Sequence, residues 1–155
     1  MEYFPYHKQE TKNSCGAASM RMALTFCGIR KSEKEVAKLL ETDNRGTWNK
    51  SFPKVAEKFK LNYVVMRNAS VDDLKEYKKR GYAIIIGYSY PPEYYGHFSV
   101  LKGIDEKNIY FLDPLFGENH KYSISRFNKI WRSATSQEIG IKSDKEKHWF
   151  FAVKK

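Results

Sequence analysis

The segment Tyr82–Tyr88, YAIIIGY, constrains this chain more than any other stretch. It is the longest apolar run, it has the length of a strand, and an unbroken run of this kind marks a strand that is buried. Further strand-like segments follow it. GHFSVLKGI begins at Gly96 and NIYFLDP at Asn108, parted by a short polar turn at Asp105–Lys107, and HWFFAV lies near the end. A short helix is expected over Ser125–Trp131 between the last two.

Upstream of this run the pattern is helical. Cys15–Phe26 carries Ala18, Met22 and Thr25 on one side and Met20, Ala23, Leu24 and Cys27 on another, so the helix is buried over much of its circumference. Asn13 and Ser14 are candidate N-caps and Gly28 a candidate stop. Ser32 opens SEKEVAKLL as a capping box with Glu35. Phe52–Phe59, with Pro53 in its first turn, and Val71–Lys79, between Ser70 and Gly81, complete the helices, and Leu61–Arg67 reads as a short strand. Helices first and strands afterwards predict an α+β fold, and nothing resembling a linker interrupts residues 1–155, so one domain is expected.

Charge and cysteine content narrow the functional classes. Twenty-eight Lys and Arg against eighteen Asp and Glu give a formal charge of +10, which suits an acidic partner or nucleic acid. The basic residues are scattered among glutamates on solvent faces, however, so a solvated surface is the expectation and nucleic acid is not a favoured partner. No apolar run approaches the roughly 18 residues of a membrane helix. MEYFPYHKQE lacks the basic-then-apolar layout of a secretory signal, so a cytoplasmic location is expected. Two cysteines about 18 Å apart on one helix are beyond disulfide reach. With no CxxC or HxxxH, neither a metal nor another cofactor is expected.

The two thiols are therefore free, and their positions differ. Cys15 falls in the first turn of its helix, where the dipole and free N–H groups favour an anionic sulfur. Cys27 lies on a buried side and reads as core. His97 starts one strand and Asp113 ends the next, each eight residues from Asp105, so a hairpin centred there sets them opposite one another. A carboxylate at that distance fixes an imidazole in one tautomer and leaves its other nitrogen for the thiol. The Cys15 N–H and the side-chain amide of Gln9 are candidate oxyanion donors, and Gly16 leaves room for a substrate backbone. Tyr88, Tyr90, Tyr94 and Tyr95 crowd the segment before Gly96 and His97, with Pro91 and Pro92 among them. They form either a peptide-gripping rim or a packing loop. His7 and His120 read as loop and turn residues, His148 as a strand-edge residue, and Trp48 and Trp131 as core.

Gln9-x5-Cys15-Gly16-Ala17-Ala18, then Gly96-His97-Phe98-Ser99-Val100, then Asp113 before Pro114, resemble the C39 and C39-like cysteine peptidases of the papain-like superfamily. The resemblance extends from Gln9 to about Gly117. It implies a papain-like fold, with the cysteine helix packed on an antiparallel sheet that carries the histidine and the aspartate. It also implies Cys15 as nucleophile, His97 as general base, Asp113 as its orienter and Gln9 as oxyanion donor. Gly16, Gly96 and Tyr95 are the candidate substrate-binding residues read from their places beside these. C39 domains that trim double-glycine leaders commonly have aspartate before the cysteine. Ser14 stands there in this chain, and N-S-C-G is closer to the free-standing C39-like branch. The expected activity is cleavage of a peptide or isopeptide bond in a peptide or protein substrate through a thioester. Acyl transfer or deamidation by the same triad, and a non-catalytic basic binding module, are the alternatives.

Overall fold

The computed structural model describes residues 5–133 and 142–155, so Met1–Phe4 of the stretch read for a signal lie outside the described residues. Along the chain the order is α1 (Cys15–Phe26), α2 (Glu33–Leu39), α3 (Ser51–Lys58), β1 (Asn62–Met66), α4 (Val71–Lys79), β2 (Ala83–Tyr90), β3 (Tyr95–Ile104), β4 (Asn108–Asp113), β5 (Gly117–Ser123), α5 (Ile124–Ile130) and β6 (Phe150–Lys154). The six strands form one sheet in the order β1-β6-β2-β3-β4-β5, and each neighbouring pair runs antiparallel.

The apolar run before Tyr88 occupies the interior of this sheet as β2, between β6 and β3. Side chains alternate across a strand, so an unbroken apolar run needs cover on both faces. Ala83 and Ile85 join a core with Ala17, Met20 and Leu24 of α1, Val36 of α2 and Val55 of α3. Ile84, Ile86 and Tyr88 join a second core with Leu74 of α4 and Phe127 and Ile130 of α5. Helices thus cover both faces. Each fully buried Ile, Leu or Phe stabilises this arrangement by about 1.5–3 kcal/mol relative to exposure.

Most helix ends follow their local chemistry. Ser32 accepts from the Glu35 N–H at 3.1 Å while Glu35 accepts from the Ser32 N–H at 3.0 Å, the reciprocal box expected of that sequence. Gly28 takes φ +83° and ends α1. Helix α3 begins at Ser51, one residue before its expected start, and α5 begins at Ile124, with the Ser123 hydroxyl accepting from the Arg126 N–H.

Strand β5 departs from expectation. His120 reads as a turn residue in the sequence, yet the polar segment GENHKYS around it pairs along β4, with His120 opposite Phe111. It is a polar strand on the sheet's edge, where one ladder of hydrogen bonds and half-burial of His120 and Tyr122 suffice.

Candidate active site

The head of α1 brings Cys15 to the sheet. Ser14 occupies the N-cap position, but its hydroxyl does not cap the helix. It accepts from the Thr11 N–H and donates to the Thr11 carbonyl, both at 3.0 Å. The first turn also carries no acidic side chain, and no side chain caps its N–H groups. The loop leading in is pinned by Glu33, which is 3% exposed and accepts the Glu10 N–H on both carboxylate oxygens at 3.1 and 3.0 Å.

His97 Nε2 lies 2.8 Å from Asp113 Oδ1, with both side chains buried. The two do not sit opposite one another as the mirror count from Asp105 suggests. Asp105 caps the turn by accepting from the Lys107 and Asn108 N–H groups at 2.8 and 2.7 Å, which moves the turn centre towards Lys107. A register shift then falls between Leu101 and Gly103, and the ladder pairs Val100 with Leu112. Asp113 therefore approaches His97 diagonally, still within reach of the two side chains.

Four donors converge on the Asp113 carboxylate. Oδ1 receives His97 and the N–H groups of Leu115 and Phe116 at 2.8 and 3.0 Å, and Oδ2 receives the Tyr88 hydroxyl at 2.8 Å. Burial alone would raise its pKa. The His97 bond, its positive charge and the two N–H groups outweigh that and hold it lowered to about 2. Burial likewise pulls the His97 imidazole down. The charge and hydrogen bond of Cys15 and the bond to Asp113 prevail and raise it to about 10. With Nε2 committed to Asp113, Nδ1 is the nitrogen left for the sulfur. Cys27 has no such partner: it is 4% exposed, and burial pushes its thiol up to about 11.

Cys15, His97, Gln9, Tyr95 and Gly96 line one cleft of about 430 Å³, together with Asn44, Arg45, Gly46 and Thr47 and with Lys142, Ser143 and Asp144. A roomier cleft of about 630 Å³, bordered by His7, Arg21 and Arg30, contains neither Cys15 nor His97, so the smaller one holds the candidate pair. Tyr95 stands at its rim, 42% exposed.

The surroundings of Gly16 and Gln9 differ from expectation. Gly16 is buried, and a Cβ there would lie 2.8 Å from Thr47 Oγ1 and 3.3 Å from Phe98 Cδ2, so the space beside it is taken up by the chain itself. Gln9 does reach the cleft, but its Nε2 donates to the Thr11 and Lys12 carbonyls at 2.9 and 3.2 Å, and its Oε1 is buried without a partner among the described residues.

Tyr88, one of the aromatics expected at either a rim or a packing loop, is 1% exposed and lies directly across the β2–β3 ladder from His97. Ser99 was not singled out at all, yet its hydroxyl lies 2.8 Å from that of Tyr88. The available signal was parity, since Ser99 shares a strand face with His97. Trp48 is half-buried with Lys50 over its ring, while Trp131 is core as expected. Among the described residues no cluster of His, Cys, Asp and Glu could hold a metal ion, and no helix is long and apolar enough to cross a membrane.

The Peptidase_C39 like family model matches residues 1–139, and the chain belongs to that family. Its fold is that of C39 peptidase domains. The peptidase domain of Streptococcus ComA, a bi-functional ABC transporter, superposes with TM-score 0.72 at 18% identity, covering 97% of this chain and 96% of that one. A putative C39-like peptidase from Bacillus anthracis gives TM-score 0.75 at 16% identity, covering 98% and 94%. A double glycine motif protease from an AMS/PCAT transporter, in complex with its leader peptide, gives 0.67 at 22% identity, covering 97% and 89%. No curated protein matches the chain.

Proposed function

We propose that the chain is a thiol peptidase in which Cys15 is the nucleophile, His97 the proton carrier and Asp113 its orienter. The convergence of these three side chains at the head of α1 carries this reading. The Cys15 sulfur attacks the carbonyl carbon of a peptide or isopeptide bond. The protonated His97 Nδ1 gives its proton to the leaving amine as the C–N bond breaks. Water, deprotonated by the same nitrogen, then attacks the thioester and restores the thiol–imidazole pair. The Cys15 N–H serves the developing oxyanion, and Gln9 releases one of its loop carbonyls to supply a second donor.

A peptide lies along this cleft between Tyr95 and the Asn44–Thr47 wall. The leader peptide held by the transporter protease of similar fold supports a peptide as the substrate class. Selective alkylation tests the proposal. At about pH 6, iodoacetamide should modify Cys15 far faster than Cys27, and H97A should slow it. Equal, sluggish rates at both thiols would remove Cys15 as nucleophile. A peptide-library cleavage profile then defines the sequence that is cut.

A further inference from the structure

The hydroxyls of Tyr88 and Ser99 have no part in the acid–base chemistry above, yet they are buried beneath it. Asp113 is an anion and accepts only, so the Tyr88 O–H must donate to Oδ2 at 2.8 Å. Once that proton is committed, the 2.8 Å contact with Ser99 has one sense, with the Ser99 O–H donating to the Tyr88 oxygen. The proton order Ser99 to Tyr88 to Asp113 is thereby fixed, and it meets His97 on the other carboxylate oxygen.

The ring is fixed as firmly as its hydroxyl. It packs edge-on to His97, with centroids 5.6 Å apart and planes at 84°, and against Phe111 and Phe127 at 5.1 and 6.4 Å. Tyr88 therefore grips both members of the His97–Asp113 pair, one through its ring and the other through its oxygen.

We propose that Tyr88, backed by Ser99, is a positioning residue that holds the Asp113 carboxylate turned with Oδ1 towards His97. Without that bond Oδ2 is a buried anionic oxygen with no donor, which favours a proton on the carboxyl group. A protonated Asp113 holds His97 Nε2 less tightly and loosens the imidazole that faces Cys15. Its effect on Cys15 chemistry rests on the triad proposed above, whereas its hold on His97 does not.

Two readouts on Y88F, S99A and L74A separate these. The first is the NMR signal of the His97 Nε2 proton. It should be protected in the wild type, lost or broadened in Y88F and weakened in S99A, and its disappearance on acidification should move to higher pH in both. L74A, which loosens the same core away from the Tyr88 ring and touches no polar group, should keep the wild-type signal and pH. The second is Cys15 alkylation by iodoacetamide at about pH 6, which should slow about tenfold in Y88F and not in L74A. S99A, which removes only a methylene-borne hydroxyl, serves if Y88F folds poorly. Retention of the protected proton and the wild-type alkylation rate in Y88F or S99A would overturn the proposal. An unreactive wild-type Cys15, together with a proton signal lost in Y88F, would refute the peptidase and uphold the grip of Tyr88 on the pair.

Discussion

The backbone N–H of Gln9 donates to the carbonyl of Pro114 across 2.9 Å, joining the loop that enters α1 to the turn that leaves Asp113. Tyr6 strengthens the same junction, its hydroxyl donating to the Asp113 carbonyl at 2.7 Å. The approach to Cys15 and the exit from Asp113 are thus one structural unit, although they lie about 100 residues apart in sequence.

Gln9 sits at that junction with its amide turned to Thr11 and Lys12. If it supplies an oxyanion donor during turnover, Q9A should cut peptide hydrolysis about 10²-fold. Alkylation of Cys15 builds no oxyanion and should proceed at the wild-type rate. Measuring both on one preparation separates a donor role from a merely structural one, which would slow both.

Cys15 is the largest influence raising the His97 imidazole. Replacing it in C15A leaves burial less opposed, so the His97 pKa should drop. A histidine NMR titration of C15A against the wild type checks this. A midpoint unmoved from about 10 would mean that Asp113 alone sustains the imidazolium.

The same pair makes folding stability depend on pH. His97 is raised in the folded protein, so its contribution is complete below the unfolded value of about 6.5 and is lost as pH climbs towards about 10. Asp113 is lowered, so its contribution is complete above about 3.8 and is lost as pH falls through about 2. Denaturant unfolding of the wild type should show a decline above neutrality that H97Q lacks, with a slope difference of at most about 1.4 kcal/mol per pH unit. D113N should flatten the acid side.

Gly16 reads as substrate clearance from its place beside Cys15, but Thr47 fills the space. G16A should cost about 1–3 kcal/mol through overpacking. It would also disturb the 2.7 Å contact between the Thr42 and Thr47 hydroxyls. T47A should recover part of the loss in a double variant, measured by thermal unfolding.

The elements legible in the sequence are those whose residues answer to one local rule. The run before Tyr88 had to be buried, Ser32 and Glu35 had to cap, and a thiol in the first turn of α1 had to meet the dipole. What stayed hidden depends on partners distant in sequence. GENHKYS becomes a strand because β4 offers it an edge, not because its own residues prefer one. The His97–Asp113 contact was foreseeable as a pairing, but its diagonal approach hangs on the Asp105 turn and the irregularity near Leu101. Tyr88 stays open between rim and packing in the sequence because it stands beside Tyr90, Tyr94 and Tyr95. Only its strand parity, shared with Ile84 and Ile86, carries it inward.

Helix α1 is seated on one face of the sheet, among the residues that flank Ile85, whereas His97 and Asp113 follow the parity of Tyr88 and Phe111 on the other. The thiol and the imidazole therefore belong to opposite sides of the sheet and meet only at its end. A half-melted chain with one of its two cores assembled would keep both side chains and lose their contact. If the pair acts as proposed, docking of both layers is then a condition of activity.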